Sequence, residues 1–249
     1  MESGKILSNS QIIIFGICIA TATVISSLIL SKGFLRVMKF KEQVISVTGS
    51  VQKEIKSDYI VWRGTFSIRE ASLPTAYKKL SEALGRVKGY LISKGINEKE
   101  IVTSQITTEI IYKKNEKGND TNDIQWYRLS QGVEVHSEGV DKVTKISREC
   151  TELINQDVQF ESQAPEYFYT KLDELKIEML SKATENAKQR AENMVKATGN
   201  KIGFMRSARM GVFQITPVNS TEVSDWGVND TTSFEKKVTA VVTVSFAIE

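Results

Sequence analysis

The 249-residue chain has one histidine and two cysteines, the two side-chain types whose ordinary titration lies nearest neutral pH. A single histidine leaves no His-rich zinc site and almost no Ser-His-Asp arrangement. His136 shares a predicted strand face with Glu134, opposite Val133 and Val135, and reads as a solvated surface residue. Cys150 falls on the apolar stripe of a predicted helix with Val143, Ile146 and Leu153, the place of a small core residue rather than a nucleophile. Cys18 lies inside a long apolar run, so a disulfide to Cys150 would need an implausible geometry. Glu98, Glu100, Glu109, Asp120 and Asp123 belong to turns, a strand face and a loop, and no local spacing brings two of them together. There is no phosphate loop, no G-x-G-x-x-G and no cysteine pair, and no motif places a serine–lysine dyad. The three N-x-[ST] triplets, at Asn119, Asn219 and Asn229, fall in polar loops where such triplets arise by chance. The residues therefore predict no enzyme, no cofactor and no metal.

The aromatics carry more information. Trp62 lies on the apolar face of a predicted strand and reads as core. Trp126 opens a strand just after a polar loop. Trp226 lies in a loop of roughly 19 residues at 216–234, with Val223, Val228 and Phe234 nearby, and so long a loop is unusual in a compact domain. Either Trp226 tucks back onto its own domain or it is buried against another subunit or partner. Trp126, Trp226 and Phe234 are the candidate contact residues.

Charge is nearly balanced, 33 basic against 30 acidic side chains with a net of +3, and the basic residues are interleaved with acidic ones. That predicts no nucleic-acid partner. The exception to the mixed composition is Ile12–Leu30, free of charge and proline. A helix over that run covers roughly the 30 Å hydrocarbon core of a bilayer. It reads as an uncleaved single-span anchor, with Ile12, Phe15, Ile19, Val24 and Leu30 facing lipid. A cleaved signal, using Ala20-Thr21-Ala22, and a buried core helix are the alternatives. A short tail at 1–11 precedes the span and a basic, apolar connector at 31–42 follows it. Lys32, Arg36, Lys39 and Lys41 outnumber Lys5 and the amino terminus, which by charge alone would keep the large domain in the cytoplasm.

Periodicity orders the remainder, 43–249. Alternation predicts strands at 44–55 and 59–69, joined as a hairpin through Lys56-Ser57-Asp58. Ser72 caps a helix with Pro74 in its first turn. Its stripe is Leu73, Tyr77, Leu80, Leu84, Val87 and Leu91, and Gly95 ends it. A threonine-rich strand at 102–112, a polar loop at 113–123 and a returning strand at 124–137 follow. Next come a helix at about 140–154 and a strand near 157–163. The longest soluble helix spans about 168–197, with Leu172, Leu175, Met179, Ala183, Ala187, Ala191 and Met194 on one face. Its alanines imply close approach to a sheet, and Gly199 closes it. Strands at about 202–215 and 236–248 flank the Trp226 loop. The order ββαββαβαββ predicts an α+β fold of antiparallel sheet with helices on one face, preceded by one transmembrane helix. A division into two subdomains near 138 is compatible with the pattern.

The chain resembles the SIMPL-domain family of the bacterial envelope over about 43–249. The resemblance is carried by Val47-Thr48-Gly49-Ser50-Val51, by Leu91 through Gly95-Ile96 to Ile101-Val102-Thr103, by Tyr127 through Val133-Glu134-Val135, and by Ala183–Gly199 with Lys201-Ile202-Gly203. Lys56-Ser57-Asp58 replaces a turn in which the family often has proline. The resemblance implies an α+β domain exported across the inner membrane, assembly into ring- or cage-like homo-oligomers, and for some members protection against envelope or oxidative stress. It offers no catalytic residues. It also favours an N-in, C-out orientation, with the domain in the periplasm, against the flanking charges. The expected partners are the lipid bilayer and further copies of the chain. The alternative is a monomeric periplasmic binding or adaptor module for peptide or lipid.

Overall fold

The computed structural model describes residues 9–249, with the backbone alone at 9, 10, 36, 37 and 39–42. Residues 1–8 of the expected tail, Lys5 among them, lie outside the described residues, as do the side chains of Arg36, Val37, Lys39, Phe40 and Lys41 of the connector. In chain order the elements are helix α1 (Asn9–Glu42), strands β1 (Val44–Lys56) and β2 (Tyr59–Glu70), helix α2 (Leu73–Ser93), strands β3 (Ile101–Thr103), β4 (Thr107–Lys114) and β5 (Asp120–Ser137), and helix α3 (Val140–Glu149). Then follow a 3-10 turn (Cys150–Gln156), strands β6 (Gln159–Ser162) and β7 (Glu166–Phe168), helix α4 (Leu172–Lys196), and strands β8 (Ile202–Met210), β9 (Gln214–Pro217), β10 (Val228–Asn229) and β11 (Glu235–Ile248). The expected α+β class holds, with mainly antiparallel sheets after an apolar N-terminal helix.

The chain divides into two compact units. The smaller takes Met1–Ser50, Lys182–Gly211 and Val241–Glu249, and the larger Val51–Ser181 and Val212–Ala240. Residue 138 lies inside the larger unit.

The larger unit is organised by a six-stranded sheet in which β5 and β2 are central, β3 and β4 pair with β5, and β6 and β7 pair with β2. Strand alternation puts Ile60, Trp62, Phe66, Leu129, Val133 and Val135 on one face. Helices α2 and α3 cover that face with Leu80, Val87, Leu91, Val143 and Ile146, joined by Cys150 and Leu153 of the 3-10 turn. Trp62 is fully buried, as its strand face predicts, and its indole donates to Ser162 Oγ at 3.0 Å. The end of α2 follows the expected glycine signal. Gly95 has φ +87°, its N–H donates to the Ile92 carbonyl, and the Ile96 N–H donates to that of Leu91.

The smaller unit brings the second half of β11 between β1 and β8. β8 runs antiparallel to β11 from Ile202 opposite Ile248 to Met210 opposite Val242. Ala183, Ala187, Ala191 and Val195 of α4 are buried in this unit, with Val242, Val244 and Phe246 of the sheet. Gly49 of β1 meets the alanines directly: a Cβ there would collide with the backbone of Ala183 and Ala187. On the solvent side, hydroxyl pairs link β1 to β11, Thr48 with Thr243 and Ser46 with Ser245, each at 3.2 Å.

Several expectations are corrected. β1 and β2 form no hairpin but join different sheets. The Ser57 and Asp58 N–H groups donate to Phe234 and Phe168 carbonyls instead of closing a turn, and the Asp58 carboxylate holds Thr170. The strand expected at 102–112 breaks into β3 and β4. Ser104 Oγ accepts the Gly132 N–H at the break, taking the place of a ladder carbonyl. The strand expected at 202–215 is likewise two, β8 and β9. Strands β7 and β10 are too short to show in the alternation.

The helices also depart in detail. Ser72 is at the N-cap position of α2 but makes no side-chain cap bond. The buried stripe of α2 is rotated from the expected one. Ala76, Ala83 and Tyr90 are inside, whereas Tyr77 is 59% exposed and Leu73 is also exposed. In α4, Val195 is buried and Met194 is exposed. α3 ends at Glu149, and the stretch to Gln156 tightens into the 3-10 turn.

Candidate functional site

His136 is half-buried, and its Nε2 lies 3.1 Å from Glu134 Oε2. The hydrogen bond from His136 holds the Glu134 carboxyl below its ordinary range, with Arg63 adding to the effect. Arg63 bridges onward to Glu166 at 2.6 Å, forming a surface network in the larger unit. Cys150 is buried, its Sγ donates to the Ser147 carbonyl, and burial pushes the thiol up, away from the nucleophilic thiolate. Glu109 pairs with Arg128, and Glu100 accepts from the Asn97 N–H and from Ser137. Among the described residues no group of three or more His, Cys, Asp and Glu is placed to hold a metal ion.

The arrangement that stands out is the loop between β9 and β11. Its base is built by Gln214, a nearly buried side chain on β9. The Gln214 amide donates to the Ser224 carbonyl at 2.7 Å, and its oxygen accepts from Ser224 N–H at 3.3 Å and Val228 N–H at 3.0 Å. One side chain thus imitates a strand neighbour for the loop. The far end is fixed by Asp230, whose Oδ1 accepts from the Thr232 hydroxyl and from the N–H groups of Thr232 and Ser233. Burial pushes that carboxyl up, but the hydrogen bonds from Ser233 and Thr232 and the nearby Lys236 charge outweigh it and leave it below its ordinary value.

Lys236 closes the structure from β11. It is 3% exposed, and its ammonium donates to the Tyr167 and Asp230 carbonyls, both at 2.6 Å. Burial drives its pKa down. The Tyr167 N–H donates to Thr231, and the Phe234 ring lies 6.0 Å from that of Tyr167. Phe234 is therefore packed on the core of the larger unit, where with Tyr167, Asp141, Lys145, Arg148 and Glu149 it lines an open groove of about 440 Å³.

On this framework Trp226 is 94% exposed and Val223 78% exposed. The tryptophan is not tucked back onto its domain. Gly227, at φ +88°, turns the chain immediately after it. Trp126 is 38% exposed on β5 and lies opposite Ile111 in the β4–β5 hairpin. The structure therefore does not group the three candidate contact residues: one is fully displayed, one is half-exposed on a strand and one is packed.

The anchor candidates Ile12, Phe15, Ile19, Val24 and Leu30 are all exposed on α1, whose stretch Gln11–Leu35 is long and apolar enough to cross a bilayer. Residues 31–42 continue that helix.

Sequence reasoning did not single out Gln214, Asp230 or Lys236. Lys236 left a signal: it has the parity of Val238, Ala240 and Val242, the buried face of a strictly alternating strand. A family model described as SIMPL, a protein of unknown function (DUF541), matches residues 45–246. No curated protein matches the chain.

Proposed function

We propose, for a chain that belongs to the SIMPL family, a membrane-anchored, non-catalytic envelope protein that self-assembles into a ring- or cage-like homo-oligomer. The observation that carries this reading is Trp226. Each fully exposed indole leaves on the order of 150–250 Å² of mostly apolar surface in water. Here the loop that displays it is tied down by Gln214, Asp230 and Lys236. A loop ordered in advance loses little entropy when it binds, which is the economy of a recognition surface. Burial of Cys150 and engagement of His136 in a surface ion-pair network support the non-catalytic part.

We place the anchor in the inner membrane as a single span, with the domain in the periplasm. The family supports the periplasmic side, and the basic residues after the span oppose it. Fusions at Glu249 test the orientation: an active alkaline phosphatase and a silent cytoplasmic reporter are expected, and the reverse pattern sinks it. Light scattering of the full chain in detergent tests assembly, with a multi-subunit mass expected and a monomer fatal to the reading. Service under envelope or oxidative stress is the setting the family implies, and a deletion strain more sensitive to peroxide or to envelope-damaging agents is the expected phenotype.

A monomeric adaptor for peptide or lipid is the second reading. It is favoured by β4 and β8, each of which pairs with one strand only among the described residues and so offers an edge for strand addition.

A further inference from the structure

Within the smaller unit, α4 runs antiparallel to β1. The Asn186 side chain accepts from the Ser50 N–H at 3.2 Å, and one turn later Arg190 donates to the Thr48 carbonyl at 3.1 Å. Four residues of helix and two of strand advance by nearly the same distance, about 6–7 Å, in opposite chain directions. Continued at that rate, the end of α4 stands level with Val44, the first residue of β1. The start of β8 is at this same end. Lys201 exchanges both backbone hydrogen bonds with Glu249 at 2.8 Å, and the Ile248 N–H donates to the carbonyl of Gln43, the residue after α1. The turn from α4 to β8 therefore lies where the N-terminal helix gives way to the sheet.

An open hollow of about 500 Å³ sits in that turn, with Val195 and Ile202 as its apolar part and Lys196 and Lys201 at its rim. Both lysines are exposed, and neither forms an ion pair among the described residues. The acidic residues nearby are turned to other tasks. Glu192 pairs with Lys188 at 3.8 Å, and the Glu249 carboxyl fills the place where a side chain at Gly203 would stand. Val44 is exposed at the same level.

We propose that this end of the smaller unit is a second membrane contact, in which Lys196 and Lys201 bind the phosphates of an anionic bilayer surface while Val44 and Ile202 face the lipid. The connector sets the height. With Gln11–Leu35 in the bilayer, the helix from Leu35 to Glu42 adds about 10 Å. The headgroup layer occupies about 5–7 Å of that. The long stems of the two lysines bridge the remainder, apolar along their length and charged at the tip. The connector sequence has the same sign, with Lys32, Arg36, Lys39 and Lys41 against Glu42. Continuity with the span selects the occupant: a tethered face meets headgroups at an effective concentration that a free ligand does not reach. The proposal rests on the anchoring reading and adds a docked face to it, so that the tilt of the smaller unit is fixed as well as its position.

The test uses the full chain with Cys18→Ser, reconstituted in vesicles of phosphatidylcholine alone or mixed with phosphatidylglycerol. Burial keeps Cys150 from the label. A fluorophore is attached through Asn200→Cys in the turn or through Met210→Cys, about 25 Å away along β8. A nitroxide on the lipid headgroups reports contact by quenching. In the mixed vesicles, strong quenching is expected at the turn and little at the far end of β8. Lys196→Gln with Lys201→Gln is expected to lower the ratio of docked to lifted domain about 25-fold, at about fivefold per lysine. Circular dichroism and flotation with the vesicles should not change. Quenching at the turn that is no stronger than at the far end of β8, or that ignores the lysine pair, overturns the proposal while leaving the anchor standing. Equal quenching in neutral and mixed vesicles also overturns it, since the contact is then apolar alone. A chain that does not float with the vesicles removes the anchor and the docked face together.

Discussion

Gly49 and Ala187 touch backbone to backbone: a Cβ added to the glycine would stand 2.8 Å from the alanine Cα, closer than carbon atoms pack. The contact fixes how near α4 lies to β1 within the smaller unit. Gly49→Val must push the helix away or twist the strand, and such overpacking against backbone is expected to cost about 3 kcal/mol. The thermal midpoint of the purified chain reads it. Gly85→Ala, at a helical glycine with open space around it, serves as the control and should leave the midpoint within a few degrees or raise it.

Gln214→Ala removes the side chain that stands in for a strand neighbour of the loop. The Ser224 carbonyl and Val228 N–H lose that partner, at an expected cost of about 1–3 kcal/mol. Hydrogen exchange distinguishes local from global loosening. Protection of the Val228 amide should fall, while the amides of β2 and β5 keep theirs.

Lys236→Met should destabilise the chain, because the Tyr167 and Asp230 carbonyls each lose a charged donor. The pH dependence has a definite sign. Burial lowers the folded-state pKa below the ordinary 10.5, so the unfolded chain binds the proton more tightly. Stability contributed by this group therefore rises with pH between the depressed folded value and 10.5. The gap in midpoint between wild type and Lys236→Met should widen on going from neutral to alkaline buffer. A gap that narrows means that the buried ammonium is not the titrating group.

Cys150 should resist a thiol reagent in the native protein and react after denaturation, since its sulfur is buried and its pKa raised. Cys150→Ala should cost about 1 kcal/mol through lost packing. Rapid native labelling at this position would reopen the nucleophile question.

Val24→Arg puts a charge within the span. Translocon-scale values put its cost at about 2.5–3.5 kcal/mol at the helix centre. Alkaline carbonate extraction should release a larger share of this variant from membranes than of the wild type.

Periodicity made much of the fold legible. The faces of β2, β5 and β11, the stripe of α3 and the alanine face of α4 read directly from spacing, because a buried face leaves a period of two or 3.6. What did not read was pairing. Lys56-Ser57-Asp58 looks like a hairpin turn, yet its amides are claimed by Phe168 and Phe234, residues more than a hundred positions away. The α2 stripe shifted because Ala76 and Ala83 fit close to the sheet where Leu73 and Tyr77 do not. Of the candidate site, Trp226 was visible as an oddity of composition. Its supports were not, since Gln214 and Asp230 act through backbone groups whose position depends on the tertiary fold. Lys236 alone was written into the pattern, as a charge on the apolar parity of a strand.

The helix α1 runs unbroken to Glu42, and only Gln43 separates it from β1, with the Gln43 carbonyl taking the Ile248 N–H. Such a junction transmits rotation as a crankshaft does. Each residue inserted between Leu35 and Glu42 would turn whatever follows by about 100° around the helix axis and raise it by about 1.5 Å. Insertions of one to four residues would therefore sweep the domain through successive headings above the bilayer. Function that returns with the helical period, failing at two added residues and recovering near four, would reveal that neighbouring copies must face one another at a set azimuth.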